Sequence, residues 1–387
     1  MHQPSARIRT RFHEVASSTV AVNSEACYRA GQFDHESWQA VADAGVWRLA
    51  VPRHFGGADG TWWDFVAAFE GIASGGRDLG FNLSMVAQAG LIRSLLKHGS
   101  ETQIDRFLPR LMSGAVGATA LTETRGGSDV AGTTTTARRD GDGYVLSGTK
   151  DHITHGPIAD IALVLGRVPE VGSRDITLFL VDTSTPGVRH GEVEDMLGNR
   201  TSPTGPLHLD HVQLDRHGVF AGVGRGLEII YDTISLDRLL YGVAAAAFLE
   251  PVLEESMDHA ERRTAFKQPI AEHQYVQGRL TDIRFGIETT RWTSYAALEA
   301  VLAQRPEASM LCSIAKYQGS EQLVAGTENA IRLLGHLGYM TGPASRRFLD
   351  GLGTIIAGGT SEMQRKNVFN QMVALRRAGQ AAGERAA

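Results

Sequence analysis

The chain has 387 residues, 42% apolar and 21% charged, with a formal charge of −5. That length exceeds one simple core and fits two or three globular domains. The acidic balance and the lack of a basic tail exclude nucleic-acid binding as the main role. Cys27 and Cys312, far apart and outside any CxxC spacing, argue against a disulfide framework or a cysteine zinc site. The N-terminal MHQPSARIRTRFHEV has no apolar core of signal type, and the apolar stretch near Tyr241–Leu249 is far short of a membrane span. A cytoplasmic, reducing setting with neither membrane nor nucleic acid as partner is therefore expected.

Residues 1–115 read as helical. Trp38, Val41 and Ala42 recur at helical spacing, Gly45, Pro52 and Phe55-Gly56-Gly57 punctuate, and further helices fit 61–74, 83–96 and 104–111. Over 116–225 the pattern changes. The β-branched run Thr133–Thr136 with Ala137, the turn Asp140-Gly141-Asp142-Gly143 and Tyr144–Gly148 read as a hairpin. Short apolar runs at 161–166, 176–182, 207–209 and 211–214 complete a small antiparallel barrel or sandwich. From Gly226 to the end, at 387, helices can be drawn over 226–262, 270–303, 308–335 and 360–377, a four-helix bundle followed by a polar tail expected to fray. The expected class is α+β in three domains: 1–115 all-α, 116–225 β and 226–387 helical bundle.

Five collinear motifs carry a resemblance. They are Leu121-Thr122-Glu123 through Gly127-Ser128-Asp129 and the hairpin to Ile153-Thr154-His155-Gly156; Leu197–Arg200 with Pro203-Thr204; Arg263–Gln274; Gly335–Tyr339; and Gly359–Arg365. In this order they resemble the acyl-CoA dehydrogenases over nearly the whole chain. The resemblance implies FAD as cofactor. It points Leu121, Thr122, Gly127, Ser128, His152 and Thr154 at the flavin ring or phosphate, His152 standing where relatives often place an aromatic ring. Hydroxyls and backbone donors suit a flavin because negative charge builds on the ring as it accepts hydride. It implies that Arg263 reaches the flavin pyrophosphate of a neighbouring subunit, a task for which a guanidinium fork is suited. Phe266, His273 and Gln274 would lie in the same wall, and Arg332, Gly335, Thr360 and Glu362 would also meet the cofactor. A shared site implies at least a dimer, and a homotetramer built as a dimer of dimers is expected. As a bare motif, Thr360 is a helix N-cap.

One departure from the family pattern is informative. Many relatives carry a catalytic glutamate directly before the Gly-Thr pair; here that position is Gly358. The family's second placement of the base, on the helix opening the C-terminal bundle just before an arginine, falls on Asp237, followed by Arg238. Ile230, Ile234, Asp237 and Tyr241 share one face of that helix, so the carboxylate sits in an apolar stripe where its proton affinity should rise. The implied reaction is removal of an α-proton by Asp237 and transfer of the β-hydride to flavin N5. The thioester carbonyl would be held by a ribityl hydroxyl and the Gly358 backbone N–H. The product is a 2-enoyl thioester, and a separate electron acceptor must reoxidise the flavin. Ser128, Ser235, Arg238, Tyr241 and Ala357 are the expected substrate contacts. Ser235 replaces an aspartate that often meets the pantetheine arm, so the acyl group is expected on coenzyme A or on an acyl carrier protein.

Two rivals remain open. A flavin monooxygenase on the same fold needs no acid at 358 but leaves Asp237 unexplained. A non-catalytic subunit that binds the thioester would hold little flavin. Other signals are weaker. Gly222–Leu227 imitates a dinucleotide loop but lacks the final glycine spacing and a βαβ unit, and reads as the turn before a helix. His152 and His155 lack further ligands, so no metal is expected.

Overall fold

Polar caps start the N-terminal helices. α1 (Ala6–Ser18) follows Ser5, α2 (Val20–Ala30) follows Thr19, and α3 (His35–Asp43) follows Asp34, whose side chain accepts from the Ser37 N–H at 3.0 Å. Capping boxes at Thr61/Asp64 and Ser100/Gln103 open α4 (Trp62–Gly76) and α6 (Glu101–Met112). Between them Asp78 caps α5 (Leu79–His98). The computed structural model describes residues 3–386, with the side chains of 379 and 381–386 left aside. α5 is long and apolar enough to cross a membrane by length and composition, yet 89% of its apolar window is buried within the fold. It is a core helix.

Eight strands form the middle layer: β1 (Gly117–Ala120), β2 (Thr136–Asp140), β3 (Gly143–Thr154), β4 (Ile161–Arg167), β5 (Ile176–Asp182), β6 (Val188–His190), β7 (Thr204–Leu214) and β8 (Val219–Phe220). They run in the order β6-β7-β3-β2-β4-β5-β8, with β1 laid alongside β4. β2 and β3 are the expected hairpin, pairing Asp140 with Gly143 so that Gly141 and Asp142 make the two-residue turn. The sheet is antiparallel except where β4 pairs with β1 (Gly117 with Ile161) and at one bridge to β2. The two short runs at 207–209 and 211–214 are one strand, bent against β3 at an irregularity between Leu146 and Gly148.

The C-terminal helices are α7 (Gly226–Arg262), α8 (Gln274–Leu302), α9 (Ala308–Leu334), the short α10 (His336–Tyr339), α11 (Pro343–Thr354) and α12 (Ser361–Ala386). A two-strand turn, β9 (Thr264–Ala265) and β10 (Gln268–Pro269), joins α7 to α8. The four long helices match the expected bundle, whereas α10 and α11 were not foreseen. α12 runs on through the polar tail to Ala386, and Ala387 lies outside the described residues. Gly222 and Gly224, both at positive φ, form the turn before α7.

α5 is clamped onto α7. Arg93, Lys97 and His98 all reach the Asp232 carboxylate, at 3.2, 2.7 and 2.8 Å, and the Ser94 and Thr233 hydroxyls meet at 2.8 Å. Burial alone would raise the Asp232 pKa, but the hydrogen bonds from His98 and Lys97 and the Arg93 charge hold it well below the usual carboxylate range. One apolar cluster joins the two helical domains and reaches β4 and β5; a second lies within the β layer. The cleft described next opens where the three domains meet.

Candidate active site

A cavity of about 240 Å³ is walled by all three domains. α5 supplies Leu83, Val86 and Ala87. The β layer supplies Thr119 and His152–Thr154, and the loop after β1 supplies Leu121, Thr122, Gly127, Ser128 and Val130. α7 supplies Tyr231, Ile234, Asp237, Arg238 and Tyr241. Gly358 and Gly359 close it with Met363 and Asn367 of α12. Ten of the residues singled out from the sequence therefore share one cleft: Leu121, Thr122, Gly127, Ser128, His152, Thr154, Asp237, Arg238, Tyr241 and Gly358.

Asp237 and Tyr241 project from the same face of α7, one turn apart. Oδ1 of Asp237 is buried and has no hydrogen-bond partner among the described residues, and the half-buried residue lines the cleft. Burial pushes its carboxyl up to about 8, and the charges of Arg93 and Arg238 offset this only in part. The carboxylate fits because α5 carries Gly90 opposite it: a Cβ at Gly90 would lie 2.2 Å from Oδ1. Arg238 makes no hydrogen bond or ion pair with another described residue, and burial lowers its pKa.

Gly358 has φ +68° and Gly359 φ +88°, a left-handed pair that side chains disfavour. A Cβ at Gly358 would lie 2.8 Å from Cε2 of Tyr241. The position where many relatives place their glutamate is thus blocked here both by backbone conformation and by the Tyr241 ring. The Gly358 N–H has no backbone partner among the described residues, while the Gly358 and Gly359 carbonyls accept from Gln364 Nε2 at 3.2 and 2.9 Å. Gly358 itself is part of the cleft wall. Thr360 caps α12, accepting from the Met363 N–H at 3.3 Å.

The loop between Leu121 and Thr135 is held by a buried carboxylate that sequence reading passed over. Glu123 accepts from Lys150 Nζ (2.7 Å), the hydroxyls of Thr133, Thr134 and Thr135 (2.6, 2.6 and 2.7 Å) and the amides of Thr134 and Thr135 (2.7 and 3.0 Å). Burial opposes its ionisation, yet these donors hold its pKa far below the ordinary carboxylate value. The threonine run was read as the start of a strand. Its β-branched residues instead serve Glu123 with their hydroxyls, and β2 begins only at Thr136.

The cleft fits a flavin. Thr119 Oγ1 is buried on its wall with no partner among the described residues, and the hydroxyls of Thr122, Ser128 and Thr154 line it without bonding another described residue. Such hydroxyls and adjacent backbone donors are the partners a polar ring system needs. Thr119 was missed because four-residue β1, Gly-Ala-Thr-Ala, carries no strand pattern. His152, at φ +56°, lines the cleft and its Nδ1 lies 2.7 Å from Glu194 Oε1. His155 is buried, with Nδ1 2.8 Å from the Gly117 carbonyl oxygen. Each imidazole has its own protein partner.

Three family models cover the chain in order: the acyl-CoA dehydrogenase N-terminal domain at residues 4–115, the middle domain at 118–212 and the C-terminal domain at 224–373. The chain belongs to the acyl-CoA dehydrogenase family. These are flavin-dependent oxidoreductases of acyl thioesters. Cyclohexane-1-carbonyl-CoA dehydrogenase of Geobacter metallireducens is 32% identical over 365 residues, 94% of this chain and 95% of that protein. Human mitochondrial short-chain specific acyl-CoA dehydrogenase is 33% identical over 327 residues, 83% of this chain and 78% of that one. Among solved structures, butyryl-CoA dehydrogenase from Megasphaera elsdenii superposes with a TM-score of 0.90 at 26% identity, covering 96% of this chain and 100% of that one. The prolyl acyl carrier protein oxidase AnaB superposes at 0.89 and 27% identity, covering 94% and 98%.

The other expected family contacts lie outside this cleft. Arg263 is 26 positions beyond Asp237, at the far end of α7 roughly 39 Å along the helix axis. Phe266 is 91% exposed beside it, its ring 5.9 Å from that of His273, and Gln274 opens α8. Arg332 pairs with Glu328 on the surface of α9, and Gly335 ends that helix at φ +58°. Glu362 is exposed, and Ala357 stands beside the cleft wall without lining it. The Ser235 hydroxyl donates back to the Tyr231 carbonyl at 2.8 Å.

Proposed function

We propose that this chain converts a saturated acyl thioester into its 2-enoyl thioester, with Asp237 as the base. The single observation carrying this reading is an unpaired, desolvated carboxylate facing a cleft whose other wall is built of unpartnered hydroxyls. Asp237 takes the α-proton, a task that suits a carboxyl lifted toward neutral pH. The Gly358 N–H donates to the thioester carbonyl and steadies the charge that grows there; one such donor is typically worth about 10²–10³ in rate. Thr119, Thr122, Ser128 and Thr154 would hold FAD, which would supply the two-electron acceptor for the β-hydrogen. Leu83, Val86, Ala87 and Ile234 keep water from the reacting carbons.

The same reading includes a separate acceptor for the electrons, a cytoplasmic setting and assembly as a dimer of dimers. In that assembly Arg263, Phe266, His273 and Gln274 of one subunit complete a neighbour's cofactor site, with Arg332 and Gly335 nearby. Support comes from their distance from this chain's cleft and from the exposed rings of Phe266, Tyr275 and Tyr339 on that surface. Coenzyme A is the preferred carrier, as in the named relatives. A carrier-protein thioester is the second reading, favoured by Ser235, whose hydroxyl is already engaged by Tyr231, and by the likeness to a carrier-protein oxidase.

Anaerobic mixing of the oxidised holoprotein with acyl thioesters on both carriers tests the reaction. A dehydrogenase loses its flavin absorbance with the matching thioester. A flavin that stays oxidised with every thioester while accepting electrons from a reduced nicotinamide would make the chain a monooxygenase instead.

A further inference from the structure

The cleft has a direction. Along α7, Tyr231 is 50% exposed at one end, Ile234 and Asp237 follow, and Tyr241 lies at the inner end. The ring of Tyr241 is fixed from two sides. Gly358 presses close enough that an added Cβ would meet its edge at 2.8 Å, and Lys316 Nζ lies 5.8 Å from its centroid. Lys316 is fully buried, and its Nζ has no hydrogen-bond partner among the described residues, so the aromatic face is one of the few favourable contacts open to it. Sideways escape between α5 and α7 is also shut, because the Asp237 carboxylate fills the space left by Gly90.

We propose that Tyr241 is the floor of the acyl pocket and restricts this chain to compact acyl groups, whether short, branched or cyclic. This rests on the dehydrogenase reading, in which the α-carbon lies beside Asp237. Four residues of helix span about 6 Å. An alkyl chain built from bonds of about 1.5 Å advances roughly 1.3 Å per carbon, so roughly four or five carbons past the α-carbon reach the ring. A straight fatty chain would have to displace a half-buried tyrosine wedged between a glycine turn and a lysine.

The test compares butyryl, cyclohexanecarbonyl, octanoyl and palmitoyl coenzyme A thioesters on the holoprotein, in anaerobic flavin reduction. The same series of 2-enoyl thioesters is titrated against the flavin spectrum as a binding readout. The parent should favour butyryl and cyclohexanecarbonyl over palmitoyl by roughly a hundredfold or more, as expected where excess methylenes have no space. Tyr241→Val and Tyr241→Ala, each checked for folding by circular dichroism, should raise the palmitoyl-to-butyryl ratio at least about tenfold. Palmitoyl handled as well as butyryl by the parent, or a ratio unmoved in a folded variant, overturns the proposal. Length-selective binding without any flavin reduction would remove the dehydrogenase reading and leave the compact pocket standing. Reduction without length selectivity would do the reverse.

Discussion

Replacing Gly90 by alanine should disable the base while leaving the fold intact. The added Cβ would stand 2.2 Å from Oδ1 of Asp237, 3.0 Å from Cγ and 3.1 Å from Oδ2. Ordinary contacts need roughly 3.5 Å, so the carboxylate must withdraw by about 1 Å. The helix backbone of α5 cannot yield as easily, because Arg93, Lys97 and His98 tie it to Asp232 of α7 one turn before Asp237. A reacting group misplaced by about 1 Å costs on the order of 10²-fold in rate. Alanine is a better helix former than glycine by about 1 kcal/mol, which offsets part of the steric cost in stability. Stopped-flow flavin reduction and a thermal melt read the two effects separately. A Gly90→Ala protein that reduces its flavin at the parent rate would refute the placement of the carboxylate against α5.

The other expectations follow from the same contacts. The rate at low substrate should rise with pH through about 8, because a carboxyl held protonated by burial acts as base only once ionised; a flat profile from pH 6 to pH 9 would count against it. The linkage has a matching sign: raised in the folded state, this carboxyl weakens the fold progressively as pH climbs from its unfolded value toward about 8. Gly358→Glu should not rescue an Asp237 variant, since the side chain would need a left-handed backbone worth roughly 1–2 kcal/mol of strain and would strike Tyr241; recovered turnover would show that the ring moves aside. Glu123→Gln should weaken flavin retention and lower stability at neutral pH. The pKa of Glu123 is depressed in the fold, so its contribution is present above the unfolded value and fades as pH falls toward the folded one. Melting curves for parent and variant should therefore converge in acid, and a constant gap would assign Glu123 a different role.

Much of the site was legible because it lies on strong local patterns. The long periodic stretch from Gly226 fixed the face shared by Ile234, Asp237 and Tyr241, and the glycine at 358 pointed to a relocated base. What escaped depends on contacts distant in sequence. Gly90 gains its meaning only when α5 docks on α7, 147 positions separating it from Asp237. Thr133–Thr135 look like strand residues because β-branching is shared by strands and by hydroxyl donors; only the position of Glu123 distinguishes the two. Thr119 sits on a strand too short and too small in side chains to show its period. Arg263, Phe266, His273 and Gln274 are assigned to a cofactor site by resemblance alone, and none of them is among the described residues that line the cleft.

The most direct test of the account is Asp237→Asn, nearly the same in size and unable to take the α-proton. With flavin still bound, flavin reduction by a matching acyl thioester should fall by about 10²–10⁴, the usual contribution of a positioned base. Reduction at the parent rate would contradict it and place the base elsewhere in the cleft.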